Sequence, residues 1–134
     1  MFWASALILE NKKGHFLLML RENKKIIPYP GYWCFVGGLA KLGETKEETM
    51  LREVKEEINF DVKGYKFFRD FMFGFQRVSL FHVKSNYNLN DFELLEEGED
   101  LKFFSFEEIQ NLKIIPSHKT MINKFIQACG IQRK

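Results

Sequence analysis

Three carboxylates carry the strongest chemical signal in this sequence: Glu53, Glu56 and Glu57. On a helix the spacing i, i+3, i+4 puts all three on one stripe. Like charges held so close repel one another, and cations must offset that cost. Arg52 and Lys55 offset part of it, and three hard oxygen donors at this spacing suit Mg²⁺ or Mn²⁺. The competing reading is a solvated, Glu-rich helix face, the common fate of a charge run. Just upstream, Gly38, Gly43, Glu44 and Thr45 approximate a phosphate-binding Walker A loop. Glu44 stands where that loop needs a lysine for the β- and γ-phosphates, and a carboxylate there would repel them, so a P-loop is excluded.

The wider context decides between the two readings of the stripe. Residues 38–60 resemble the signature of the Nudix hydrolase family: Gly, five residues, Glu, seven residues, then Arg-Glu-apolar-x-Glu-Glu-x-Gly-apolar. Gly38, Glu44, Arg52, Glu53, Val54, Glu56, Glu57 and Phe60 match it. Composition alone gives the matches through Glu57 with a chance of order one in 10⁵. Three positions depart. Asn59 replaces the usual Gly, Val36 stands where many members have Pro, and Lys41 where many are acidic. Asn is the next best residue for a left-handed backbone, so the helix end should keep its geometry. None of the three removes a carboxylate, and they bear on substrate and loop conformation.

The resemblance implies a role for each matched residue. Glu53, Glu56 and Glu57 would ligate a divalent metal, Mg²⁺ or Mn²⁺, with the Gly37 carbonyl nearby. Glu44 and Arg52 would pair, beside Gly38, to hold the loop against the helix. A further acidic ligand from a later loop is assigned to Glu97, with Glu96 and Glu99 as its neighbours in an otherwise solvated run. The metal would screen a pyrophosphate and lower the pKa of a bound water. A carboxylate, Glu53 or Glu97, would then take that water's proton before in-line attack at phosphorus. Arg21 is placed to contact phosphates. Tyr29, Tyr32, Trp33, Phe73 and Phe75 are candidates to stack a flat base, with Tyr32 and Phe75 preferred. Relatives that select oxidised guanine commonly have an Asn before the last helix, where this chain has residues 116–119, Pro-Ser-His-Lys.

The expected activity is therefore metal-dependent hydrolysis of the pyrophosphate link in a nucleoside diphosphate derivative, a nucleoside triphosphate or oxidised nucleotide first. The alternatives are nucleotide sugars, dinucleoside polyphosphates, or a non-catalytic nucleotide sensor. A sensor usually loses carboxylates that this chain keeps.

The elements that must position these residues read as follows. Residues 3–9 and 15–21 are β-rich runs around a turn at 11–14, predicting a hairpin. A loop punctuated by Pro28, Pro30 and Gly31 leads to a buried strand at 33–36, after which Gly37 and Gly38 allow a sharp turn or a close approach. Thr45 and Glu48 fit a capping box for a helix over 46–58, with Met50, Leu51, Val54 and Ile58 on its apolar face. Residues 61–84 return to strand character, 85–91 form a polar loop, and 101–104 form another strand. Ser105 and Glu108 cap a short helix. A last helix follows Pro116, turns Met121, Ile122, Phe125 and Ile126 inward, and stops at Gly130. This order predicts an α/β (α+β) fold, a Nudix-type α/β/α sandwich with a mixed sheet between helices, in one domain over 1–134.

Composition excludes other classes. At 134 residues, 46% hydrophobic and 28% charged, the chain is ordinary for a globular protein and too apolar for disorder. A net charge of +2 offers no electrostatic footprint for nucleic acid or a membrane surface, so the expected partner is a small nucleotide. No apolar run approaches the roughly 20 residues of a membrane span. The apolar first nine residues lack a basic start and read as a strand. Cys34 and Cys129 form no metal-ligand spacing, which favours reduced thiols and a cytoplasmic location. Exposed apolar strands could support a homodimer. Fifteen Phe divide between a packed sheet and a few rings for a ligand.

Overall fold

Strand β1 (Phe2–Glu10) organises the architecture, because from Ser5 to Glu10 it is buried on both faces. A computed structural model describes residues 2–95 and 98–130. Leu7 and Leu9 point to one layer, where they meet Met50, Val54 and Ile58. Ala6 and Ile8 point to the other, among Phe35, Ile109, Met121, Ile122 and Phe125. Period-two alternation of apolar side chains thus demands a helix on each side. The first layer is α1 (Lys46–Ile58), and the second holds α2 (Phe106–Gln110) and α3 (Pro116–Cys129).

Between them lies a mixed sheet with β2 (Phe16–Arg21), β3 (Trp33–Cys34), β4 (Val36–Leu39), β5 (Lys66–Phe73), β6 (Gln76–Lys84) and β7 (Gly98–Phe104). The order β3-β2-β1-β6-β5 forms its spine, with β4 also on β1 and β7 also on β2. β1 and β6 run parallel from Phe2↔Gln76 to Glu10↔Lys84, and the other pairings are antiparallel. The predicted sandwich is the observed one. Among the described residues, no helix is long and apolar enough to cross a membrane.

Two local expectations change. The β1–β2 hairpin closes only at Glu10↔Phe16, after which the strands diverge. Residues 33–39 fill the gap, pairing Trp33 and Cys34 with β2 and Val36 to Leu39 with β1. The strand therefore does not turn at Gly37 and Gly38 but runs straight through them. Of residues 61–84, only 66–73 and 76–84 are strand, joined at Gly74 with φ +63°.

Helix α1 begins as predicted. Thr45 Oγ1 accepts the Glu48 N–H at 3.1 Å, and the Thr45 N–H donates to Glu48 Oε1 at 2.9 Å. It ends at Asn59, which takes the left-handed conformation (φ +50°, ψ +48°) that the usual Gly would take. Met50, Val54 and Ile58 are fully buried, at roughly 1.5–3 kcal/mol each. That outweighs the roughly 1 kcal/mol of a cap, so packing sets the helix roll. The roll presents Glu53 and Glu57 to β4.

Candidate active site

Gly37 and Gly38 are where α1 meets the sheet. A Cβ on Gly37 would lie 2.1 Å from the Ser5 carbonyl oxygen of β1, and φ there is +148°. A Cβ on Gly38 would lie 2.5 Å from Glu53 Cδ. Missing side chains thus admit the neighbouring strand on one side and a carboxylate on the other. Glu57 is buried, at 6% exposure, and its Oε1 accepts the Gly37 N–H at 2.8 Å.

Arg52 ties the rest together. Its Nε and Nη2 fork onto Glu44 at 2.6 and 2.9 Å, and Nη2 also reaches the Leu39 carbonyl at 2.9 Å. Nη1 donates to Glu53 at 2.9 Å and to both oxygens of Glu56 at 3.2 Å. Glu44 Oε1 further accepts the Lys41 N–H at 2.7 Å and the Thr49 hydroxyl at 3.1 Å. The guanidinium, and then the Lys41 N–H, hold the Glu44 carboxyl down at about 2. The same carboxylates push Arg52 upward.

Behind the glycine pair lies a cavity of about 310 Å³, lined by Arg21, Tyr29, Phe35, Gly37, Gly38 and His118 among others. That is the low end of the about 300–1,000 Å³ typical of small-ligand sites. A larger hollow of about 830 Å³ lies along the outer side of the 39–47 loop, walled by Trp3, Leu39 and Leu42. It touches Glu44 and Thr49 but not the glycine pair, so the smaller cavity is the one continuous with the wall that holds Glu53 and Glu57.

The start of α3 is pinned to that wall. The Trp33 N–H donates to the Lys113 carbonyl at 2.8 Å, and the Ile115 N–H to the Trp33 carbonyl at 3.0 Å. His118 then stacks on Phe35 (ring centroids 5.7 Å apart, planes 11° apart) and its Nδ1 accepts the Phe35 N–H at 2.9 Å. Burial first, and Arg21 second, push the His118 pKa down to about 4.

The NUDIX domain model matches residues 2–125. The chain belongs to the Nudix family. It is 27% identical over 124 residues to the NAD-capped RNA hydrolase NudC of Haemophilus influenzae, covering 92% of this chain and 46% of that protein. It is 33% identical over 109 residues to an uncharacterised Nudix hydrolase of Listeria monocytogenes, covering 77% of this chain and 63% of that one. The chain thus spans about half the length of NudC and under two-thirds of the Listeria protein. Among solved structures, one from work on MutT of Aliivibrio salmonicida and Vibrio cholerae superposes with a TM-score of 0.77 at 22% identity, covering 95% of this chain and 98% of that one.

Nudix hydrolases generally use divalent metals, and the donors here fit one. Glu53 and Glu56 already converge on a single cationic atom, Arg52 Nη1, and Gly38 leaves the notch that Glu53 occupies. All the donors are hard oxygens. Among the described residues, no three His, Cys, Asp or Glu side chains are drawn together closely enough to hold an ion. Glu56, whose side chain is 51% exposed, is the one free to swing.

The Nudix motif's other residues fall as follows. Glu44 and Arg52 pair, and Arg52 and Gly38 both lie against Glu53. Glu97 and Glu96 lie outside the described residues. Glu99 is engaged with the Asn23 N–H at 3.1 Å. Segment 93–95 docks on the end of α1, where the Glu93 and Leu95 N–H groups take the Ile58 and Glu57 carbonyls at 3.0 and 2.9 Å.

Arg21 reaches the cavity, with its Nε on the Pro28 carbonyl at 3.0 Å. Tyr32 and Phe75 do not. Tyr32 packs on Met19, Cys34 and Ile115, and it is Tyr29, edge-on to it at 5.3 Å, that lines the cavity. Phe75 sits 81% exposed in the β5–β6 turn, since Gly74 carries it past the end of the sheet. Trp33 and Phe73 pack against Phe104 and Phe71. Phe35 and Thr49 did not stand out in the sequence. His118 falls in the 116–119 stretch, which corresponds to the Asn-bearing segment of some relatives, and it is the third residue of α3.

Proposed function

We propose that the chain hydrolyses the pyrophosphate link of a nucleoside diphosphate derivative in a divalent-metal-dependent reaction. The observation that carries this reading is the convergence of Glu53 and Glu56 on one cationic point, beside a buried Glu57 and a glycine wall. Glu53, Glu56 and Glu57 would hold the ion, Mg²⁺ or Mn²⁺. When bound, such an ion screens phosphate charge and lowers the pKa of water.

The chain's own residues do the positioning. The Gly37 N–H fixes a Glu57 oxygen against the glycine wall. Arg52 holds Glu44 in a two-point fork, which keeps the 39–47 loop against α1, and steadies Glu53 with its remaining nitrogen. Arg21, at the cavity mouth, supplies positive charge for phosphate oxygens. Glu53 or Glu97 would receive the proton of an attacking water.

A nucleoside triphosphate or its oxidised form is the first substrate reading, and the cavity is of a size for one base. A second reading takes its support from the NudC relative, whose name specifies NAD-capped RNA: a pyrophosphate joining two nucleosides, free or at the end of an RNA. The test is a panel of nucleoside triphosphates, an oxidised guanine nucleotide, a nucleotide sugar, a dinucleoside tetraphosphate, NAD and NAD-capped RNA. Each is assayed with Mg²⁺, with Mn²⁺ and with chelator. We expect metal-dependent cleavage of at least one member and near-abolition in Glu57→Gln. Binding without cleavage of any member would make the protein a nucleotide sensor instead. Full activity in both Glu56→Gln and Glu57→Gln would refute the metal-site assignment.

A further inference from the structure

We propose that the face formed by the start of β1, the 39–47 loop and the neighbouring ends of β5 and β6 seats a second copy of this chain, the two copies being related by a two-fold axis. The inference stands apart from the reaction proposed above.

On this side the sheet reaches further than the helix that covers it. Helix α1 begins at Lys46, whose carbonyl accepts the Ser5 hydroxyl at 2.7 Å. Trp3 lies two residues further out on the same face of β1, about 6.6 Å along the strand and past the start of the helix. The registers Trp3↔Arg77 and Arg77↔Met72 set the three side chains side by side on that face. The Arg77 guanidinium lies 4.7 Å from the Trp3 ring centroid, and Lys46 Nζ lies 4.2 Å from that of Phe67.

Apolar side chains collect on this uncovered end. Trp3, Phe67 and Met72 stand about half exposed. The Phe2 N–H donates to the Phe75 carbonyl at 2.9 Å, which brings those two exposed rings to the same edge. Leu39 and Leu42 join Phe2 and Trp3 around the hollow of about 830 Å³. Scaled from about 150–250 Å² for a whole aromatic side chain, these exposures amount to on the order of 800 Å² of apolar surface. The largest patch on a monomer is usually about 300–600 Å², whereas a stable dimer takes about 800 Å² from each partner.

Charge and shape choose the occupant. Lys41 and Lys46 line the hollow together with Glu44 and Glu47, so neither sign prevails. An anionic polymer or membrane surface finds no net attraction there. A second copy turned by 180° can set each sign against its opposite. Leu42 stands fully exposed at the wall of the hollow, so one face carries both a protruding side chain and a recess. In a two-fold contact, a residue that meets another is matched by the reciprocal pair, and both leucines enter hollows at once.

Interfaces of this area hold from micromolar to picomolar, so sedimentation equilibrium of the full chain at about 1–100 μM is the test. We expect a dimer. Leu42→Asp should weaken it at least about 100-fold, since it places a charge in an apolar recess. Its circular dichroism should match the wild type, because a fully exposed side chain supports no core. Leu89→Asp, on an exposed leucine beyond the opposite ends of β1 and β6, should leave the dimer intact. A monomeric wild type would overturn the inference, whatever else the protein binds. So would a dimer undiminished in the double variant Phe2→Asp/Leu42→Asp, or an equal loss in Leu89→Asp.

Discussion

Two adjacent glycines should fail in opposite ways when each is given a single methyl group. Gly37→Ala places a Cβ 2.1 Å from the Ser5 carbonyl oxygen at φ +148°. Both partners are backbone in the β1–β4 ladder, so nothing flexible can yield. Backbone strain at such a residue costs about 1–3 kcal/mol and overpacking another 1–3. The sum is about 4 kcal/mol. At roughly 2.1 cal/mol/K per residue of unfolding entropy, that lowers Tm by about 14 °C. Gly38→Ala has no such backbone strain, and its Cβ meets the mobile end of Glu53, 2.5 Å from Cδ. The carboxylate can retreat by about 1 Å, at under about 1 kcal/mol of stability, yet a displacement of that size costs a catalytic site up to about 10²-fold in rate. Gly43→Ala calibrates the pair, because φ is +84° with nothing within 4 Å, leaving backbone strain alone at about 1 kcal/mol. The assays are urea and thermal melts beside kcat/KM at saturating Mg²⁺ on the best panel substrate. A Gly37→Ala protein melting within about 3 °C of wild type would refute the close-approach reasoning. Full activity in Gly38→Ala would refute the placement of Glu53 at the reaction centre.

His118, held near 4 in the fold against about 6.5 in an unfolded chain, stays neutral where the unfolded chain takes a proton. Its contribution is thus present above pH 6.5 and falls by about 3 kcal/mol as pH drops to 4, a slope that urea melts should find weakened in His118→Asn. Glu44, held at about 2, keeps its Arg52 pairing above its ordinary range and loses it as pH falls towards 2. Arg52→Lys retains the charge but not the fork, so the Mg²⁺ concentration for half-activity should rise about tenfold, and an unchanged Mg²⁺ titration would count against Arg52 as an organiser of the carboxylates. Glu10, fully buried between His82 Nε2 at 2.8 Å and Lys84 Nζ at 3.4 Å, should cost about 2–4 kcal/mol when replaced by Ala, with kcat unaltered because it lies at the opposite end of β1 from Gly38's partner Ser5.

What could be read in the sequence was what is local to one helix. The capping boxes at Thr45 and Ser105 and the left-handed Asn59 each depend on residues within one or two turns, and each formed as expected. The carboxylate stripe and the Glu44–Arg52 pair likewise lie within one loop and one helix. What could not be read depends on register between distant strands. Divergence of β1 from β2 follows from β4 inserting along β1, a pairing that no hairpin signal encodes. Tyr32 and Tyr29 exchange places at the cavity because a positive φ at Tyr29 turns the chain there, and nothing in an ordinary tyrosine announces that. His118 acquires its chemistry from Phe35, 83 residues away. A histidine nitrogen committed to so distant a backbone amide is a property of the fold alone.

The same geometry explains why a nearly neutral protein would need no basic surface for an anionic substrate. Glu44, Glu53 and Glu56 all converge on one guanidinium, which gives Glu44 two nitrogens and leaves Glu53 and Glu56 sharing the third. Glu57, on the same stripe, accepts the neutral Gly37 amide. The cluster therefore carries more negative charge than its own cation balances, and a divalent ion is the compact way to restore balance at a helix face. Across the glycine wall the sign reverses, since Arg21 lines the cavity and has only donors. An anionic substrate held through a bound ion on one side and by Arg21 on the other would then require the thinnest partition a strand can make, which is two residues without side chains.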